Sequence, residues 1–204
     1  VTMTVRTNRE YQDKKDLITG LSDMTQEMID KGYQGYLMTF MFKPLQGGIR
    51  QKNHQMQVDI EGLYGSLLTR LHRKPNASRI VLPNLIACPD WPLPKHKKKS
   101  LEEIVTNDGL HHHGILLIPP TPNRLKVPLD QHFDDNQSYY LRDGKFIRID
   151  VEPIAPPTAY DAAEYVFKGL KKNRLPGDED LLMLPNRNRE MRPRTYLGSP
   201  NFGK

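Results

Sequence analysis

"GLHHHGILLI", residues 109–118, sets three histidines directly before a glycine and four branched apolar residues. Ile115, Leu116, Leu117 and Ile118 read as a buried strand, and we expect it to span 110–119. Side chains alternate along a strand, so His111 and His113 share one face and His112 points to the other. Two neutral imidazoles placed this way can hold one divalent ion. The plainer alternative is three polar residues at a strand end. Gly114 beside the pair leaves room for a second backbone or a ligand. The apolar run behind it would hold the pair rigidly, as a metal site requires. A third donor has to come from a neighbouring segment. Asp90 is our choice, because it follows a second expected strand, "RIVLPNLIAC" (79–88). Glu102, Glu103, Asp108 and His96 are the alternatives.

The flanking sequence supplies the remaining elements. "GYLMTFMFKP" (35–44) is rich in aromatic and β-branched residues and reads as a central strand. Met56, Ile60, Leu63, Leu67 and Leu71 recur at helical spacing over 53–73. Pro83 marks the strand 79–88 as an edge or a bulge. Residues 89–108 read as a loop with one turn at "SLEEI", and 22–31 as a short helix capped by Ser22. "YYLRDGKFIRIDV" (139–151) predicts a hairpin around Asp143–Gly144. Residues 158–173 predict a helix with Thr158 as N-cap. The order β-α-β-β-β-β-α points to an α+β fold: one mostly antiparallel sheet with helices on one face. We divide the chain into an N-terminal extension with a short helix (1–34), a main domain (35–174) and a basic tail (175–204).

With 204 residues the chain can form one domain with a substantial core, or a domain plus a tail. Thirty Lys and Arg against 24 Asp and Glu give a net charge of +6, compatible with a polyanionic partner. The cations cluster at 95–99, 167–174 and 187–194. Lys95, Lys97, Lys98, Lys99, Lys171, Lys172 and Arg174 are the candidate contacts to a nucleic-acid backbone. The single cysteine, Cys88, excludes an internal disulfide and a zinc site built on several thiolates, and it fits a reducing cytosol. No leader-like or membrane-length apolar run is read, so a cytoplasmic location without a membrane partner is expected.

The helix 158–173 carries two faces. Tyr160, Ala163, Phe167 and Leu170 make an apolar one, expected to pack on the sheet. Asp161, Tyr165, Lys168 and Lys172 make the other, where Tyr165 is either a half-buried surface residue or a chemical group. A phenol is a poor nucleophile until a cation stabilises its anion, and Lys168 lies one turn away. A tyrosine, a lysine, a two-histidine metal site and a basic surface together make a set for phosphoryl transfer.

"HHHG" ahead of a strand, "YVFK" (165–168) on a later helix and "YLMTFMF" (36–42) in the first strand resemble the HUH endonuclease superfamily. The order of the motifs is that of single-tyrosine rolling-circle replication initiators of phage or plasmid type. The resemblance covers about residues 36–173. It implies a ferredoxin- or RRM-like antiparallel sheet flanked by helices. It implies His111 and His113 as ligands of Mg²⁺ or Mn²⁺, Tyr165 as nucleophile and Lys168 as its assisting cation. The substrate would be single-stranded DNA at an origin or hairpin, in the cytoplasm of a bacterial host. No helicase motif is read, so unwinding would fall to a partner such as a host helicase or to a further part of the protein. His112 departs from the family pattern, which places a hydrophobic residue there. Tyr160 and Tyr165 are five residues, about 140°, apart around a helix, so one tyrosine is expected to act. The alternatives are a transposase of the same superfamily acting on hairpin DNA, and a non-catalytic RRM-like nucleic-acid-binding module. Tyr36, Phe40 and Phe42, on one face of the first strand, would serve the latter as stacking platforms.

Overall fold

The computed structural model describes residues 2–77, 80–91, 106–171 and 181–186, with side chains from residue 12 onward except that of residue 171. The elements in order are α1 (Thr2–Asp30), β1 (Gln34–Phe42), α2 (Ile49–Leu71), β2 (Asn84–Asp90), β3 (His111–Ile118), α3 (Leu129–Asp135), α4 (Gln137–Leu141), β4 (Phe146–Pro153), α5 (Ala159–Val166), α6 (Lys168–Lys171) and β5 (Leu182–Leu184). Short 3₁₀ turns at Thr106–Gly109 and Pro156–Thr158 precede β3 and α5.

The fold is α+β. Five antiparallel strands lie in the order β4-β1-β3-β2-β5. The unit β1-α2-β2-β3-α3/α4-β4, with strand order β4-β1-β3-β2, is the split βαβ arrangement of ferredoxin-like sheets. Alternation of side chains sorts each strand between two cores. Tyr36, Met38, Phe40 and Phe42 pack with Met56, Ile60, Leu63 and Leu67 of α2 and with Phe133 and Tyr140 of α3 and α4. Ile86, Cys88, Ile115 and Leu117 point the other way, against Ile18, Leu21 and Ile29 of α1 and Ala159, Ala163 and Val166 of α5. Helices therefore cover both faces rather than one. That explains why every residue of β3 is buried. No helix among the described residues is long and apolar enough to cross a membrane.

Several elements differ from their expected form, each for a packing reason. The short helix 22–31 is the end of the longer α1. Ser22 does not cap it but is buried mid-helix with Ile18, Leu21, Thr25 and Ile29, on the stripe that faces α5. The hairpin expected over 139–151 is a helix-to-strand joint. Gly144, at φ +67°, makes the turn, but Tyr139 and Tyr140 end a helix. Tyr140 stacks on Phe133 with ring centroids 4.3 Å apart, so tertiary packing overrides its strand preference. The second strand is displaced towards Asp90 and begins after Pro83. Pro89 is accommodated because β5 pairs β2 only over Leu85–Ala87. β5 itself arises from the stretch read as tail, where periodicity is too short to register.

The helix expected over 158–173 is broken at Phe167, whose φ −88° and ψ 9° leave the helical region. Phe167 is fully buried, and Gly169 just beyond it favours helix weakly. Thr158 occupies the cap position, but its hydroxyl donates to the carbonyl of Ala155 instead. Tyr160 is not part of the apolar face: it is 37 % exposed, beside Lys15 and Thr19 of α1.

Gly114 makes room for a second backbone, one of the two roles expected of it, and not for a ligand at the histidines. It faces the α2 core, away from His111 and His113. A Cβ there would lie 3.2 Å from the backbone oxygen of Ile86, from Leu85 Cδ1 and from the ring edge of Phe40. The glycine lets Phe40 cross β3, and a ligand does not enter there. Gly114→Ala is expected to lower stability by about 1–3 kcal/mol, read from urea unfolding, because the carbonyl cannot move aside as a flexible side chain would.

Candidate metal centre

The pairing of three strands assembles the site. Asp90 is the last residue of β2 and sits directly opposite His111, while Thr39 of β1 sits opposite His113. Asp90, His111, His113 and Thr39 project from the same sheet face, beneath α5 and α6. Asp90, His111 and His113 form a buried group able to hold a metal ion, their ligand atoms all within 4.8 Å of one another. Asp90 is thus brought to the two histidines, as expected of a third donor. Of the alternatives, Asp108 lies outside the cluster and pairs with Lys52 at 3.0 Å. His96, Glu102 and Glu103 lie outside the described residues.

The hydrogen bonds around the imidazoles orient them for ligation. His111 Nδ1–H donates to the carbonyl of Gly109 at 3.1 Å, which leaves the lone pair on Nε2. His113 Nδ1 lies 3.1 Å from the hydroxyl of Thr39, a group able to donate or accept. The two Nε2 atoms are 3.0 Å apart. Without an ion, His113 Nε2–H donates to His111 Nε2 and the Thr39 hydroxyl donates to His113 Nδ1. When both Nε2 lone pairs are needed, Thr39 becomes the acceptor and the proton moves to Nδ1. Such partners of the non-ligating nitrogen are a regular part of histidine metal sites. The 3.0 Å separation also matches the edge of about 3 Å that bonds of about 2.1 Å span at right angles. Burial, reinforced by the fields of His111, Lys168 and His112, holds the pKa of His113 well below its ordinary value. The imidazole is therefore neutral and able to ligate.

Neither Thr39 nor the Gly109 carbonyl was singled out from the sequence. Thr39 carried a signal, being the one polar residue in the run Leu37–Phe42. Gly109 carried none. Its carbonyl is placed by a turn in which Asn107 and Asp108 adopt positive φ. Asn107 anchors that turn by accepting from the Leu45 N–H at 2.7 Å and donating to the carbonyls of Phe42 and Lys43.

Tyr165 and Lys168 stand at the mouth of the cluster. The Tyr165 ring is 4.9 Å from that of His113, centroid to centroid, and the residue is 43 % exposed. Lys168 Nζ lies 3.8 Å from the Tyr165 ring centroid and 2.9 Å from Asp90 Oδ2. The break at Phe167 separates these two residues between α5 and α6, yet both reach the same site. Lys95, Lys97, Lys98, Lys99, Lys172 and Arg174 lie outside the described residues, and Lys171 is described only as the end of α6.

His112 points into the α2 core, edge-on to Phe42 at 5.8 Å, and is fully buried. Neither ring nitrogen has a hydrogen-bond partner among the described residues. Burial, with the field of His111, pushes its pKa down to about 3. A buried polar ring without partners is a net cost. His112→Leu is expected to raise stability by about 1–2 kcal/mol, or about 2–8 °C in Tm by calorimetry, with divalent-ion affinity unchanged.

Comparison of the chain with models of known protein families, with curated proteins and with solved structures gives no match. The sheet, the donor set and the tyrosine beside it carry the functional reading.

Proposed function

We propose that this protein is a metal-dependent, single-tyrosine DNA endonuclease and strand transferase of HUH type, which nicks single-stranded DNA to initiate rolling-circle replication. The observation that carries the reading is the half-exposed Tyr165, 4.9 Å from a ring of the Asp90–His111–His113 group, with a lysine over its own ring. That combination has no need of a core explanation, since Tyr165 is not in the core.

Asp90, His111 and His113 would hold Mg²⁺ or Mn²⁺, which supplies charge withdrawal from the non-bridging oxygens of the scissile phosphate. Tyr165 Oη attacks the phosphorus and loses its proton to solvent, to which the residue is open. Lys168 lowers the cost of the phenolate. The bond from phosphorus to the 3′-oxygen breaks, and that oxygen takes up a proton. The products are a 5′-phosphotyrosyl adduct and a free 3′-OH, which can prime synthesis. Attack by a later 3′-OH reverses the step and frees Tyr165, so joining needs no ATP. The lysines of 95–99, with Lys171, Lys172 and Arg174, would follow the DNA backbone, and a host helicase would open the duplex. A transposase acting on hairpin DNA uses the same chemistry, and the substrate cleaved separates the two. A non-catalytic RRM-like module needs aromatics on an open sheet face, whereas Tyr36, Phe40 and Phe42 are buried beneath α2, α3 and α4.

The test is incubation with labelled single-stranded oligonucleotides and Mn²⁺, followed by a denaturing gel. A shifted band that survives detergent and disappears with EDTA is expected. Oligonucleotide libraries that yield free hydrolysis products but no adduct would remove the covalent mechanism.

A further inference from the structure

Asp90 is shared. Its Oδ2 lies 2.9 Å from Lys168 Nζ, and 3.8 and 3.9 Å from Nε2 of His113 and His111. One oxygen thus stands between an ammonium and the point on which two imidazoles converge. We propose that Lys168 and a divalent cation are alternative partners of Asp90: the ammonium holds the carboxylate while the ion is away, and ion binding displaces it. The inference rests on the metal reading above and concerns how that site is loaded.

Three observations carry it. Asp90 is 2 % exposed, and a carboxylate so deeply buried needs a cation beside it. Among the described residues, Lys168 is the one Lys or Arg within ion-pair distance of it. An ammonium has no lone pair to offer a metal, so it opposes the ion by charge and by occupying the ion's third donor. Finally, Lys168 has somewhere to go. Its side chain is 27 % exposed and lies against the Tyr165 ring while it pairs with Asp90, so rotation of the stem can release the carboxylate without leaving the tyrosine. Loading the ion would then free the ammonium, already at the Tyr165 ring, to serve the phenol oxygen. The cation that assists Tyr165 stays occupied until the ion is in place.

This predicts opposite signs for two properties of one variant. Mn²⁺ affinity is measured without DNA, by calorimetry or by the spin-resonance signal of free Mn²⁺, on the full chain. Lys168→Gln is expected to bind Mn²⁺ about tenfold more tightly than the unaltered protein, although its adduct yield falls. Lys168→Arg keeps the charge and is expected to stay within about threefold. In a thermal melt, metal-free Lys168→Gln should unfold at a lower temperature, because its buried carboxylate has lost its cation, and Mn²⁺ should raise that temperature by more than in the unaltered protein. If Lys168→Gln folds only with Mn²⁺ present, titration with a chelator of known affinity supplies the same constant. Equal or weaker Mn²⁺ binding by a folded Lys168→Gln overturns the exchange while leaving the metal reading intact. Tightening by Lys168→Arg as large as by Lys168→Gln overturns it too, since charge would not be the cause. An unaltered protein that binds no Mn²⁺ takes both readings down together.

Discussion

Tyr165→Phe is expected to abolish the covalent protein–DNA adduct, a loss on the order of 10³-fold or more in rate, with single-strand binding and Mn²⁺ affinity changed by less than about threefold. The substitution removes one oxygen and nothing else. Tyr165 is 43 % exposed and contributes no core packing, so the variant should fold and melt as the parent does. The phenyl ring can still lie against His113 and beneath Lys168. The bond-forming atom alone is missing, which separates a nucleophile from a tyrosine that merely positions DNA. Tyr160→Phe is the control. Tyr160 sits in the groove beside α1 and is expected to keep full adduct yield. A gel in which Tyr160→Phe fails and Tyr165→Phe succeeds would move the nucleophile by more than a turn of helix and undo the role given to Lys168.

The second large effect is at the metal. His113→Ala is expected to weaken Mn²⁺ binding on the order of 100-fold or more and to take adduct formation with it. Two of the candidate donor atoms are imidazole nitrogens 3.0 Å apart, so losing one halves the nitrogen set and leaves a void beside Thr39 and Tyr165. Calorimetry with Mn²⁺ reads the affinity, and circular dichroism checks that the sheet persists. Preserved Mn²⁺ affinity in His113→Ala would show that the ion, if bound, is held elsewhere.

The central part of the fold and most of the candidate site were legible in the sequence, because both rest on alternation along strands. The period of two in "HHHG" assigned His111 and His113 to one face. The position of Asp90 after an apolar run placed it near them, although β2 begins at Asn84 and includes Asp90, where a strand ending at Cys88 was expected. What was illegible depends on tertiary contacts. Nothing local says that Tyr139 and Tyr140 belong to a helix, since the stacking on Phe133 decides it. The amphipathic stripe of α1 mixes Ser22 and Thr25 with Ile18, Leu21 and Ile29, and those small polar residues diluted the apolar period. The close backbone approach at Gly114 was legible, but not the ring that also fills its space, because Phe40 reaches it diagonally from β1 and is 74 residues distant in the chain. The hydrogen bond from His111 to Gly109 ends on a backbone carbonyl, and no side-chain pattern encodes it.

β3 has helices on both sides, and its first residues divide between them: His111 and His113 under α5 and α6, His112 and Gly114 against the α2 core. The two halves of this short stretch are therefore expected to differ in what a substitution costs. If the site acts as proposed, substitutions at 111 and 113 are expected to cost metal binding and activity more than abundance, whereas those at 112 and 114 are expected to act on abundance alone. A saturation library scored once for expression and once for activity should show the two maps out of phase, with a repeat of two residues, at this end of the strand.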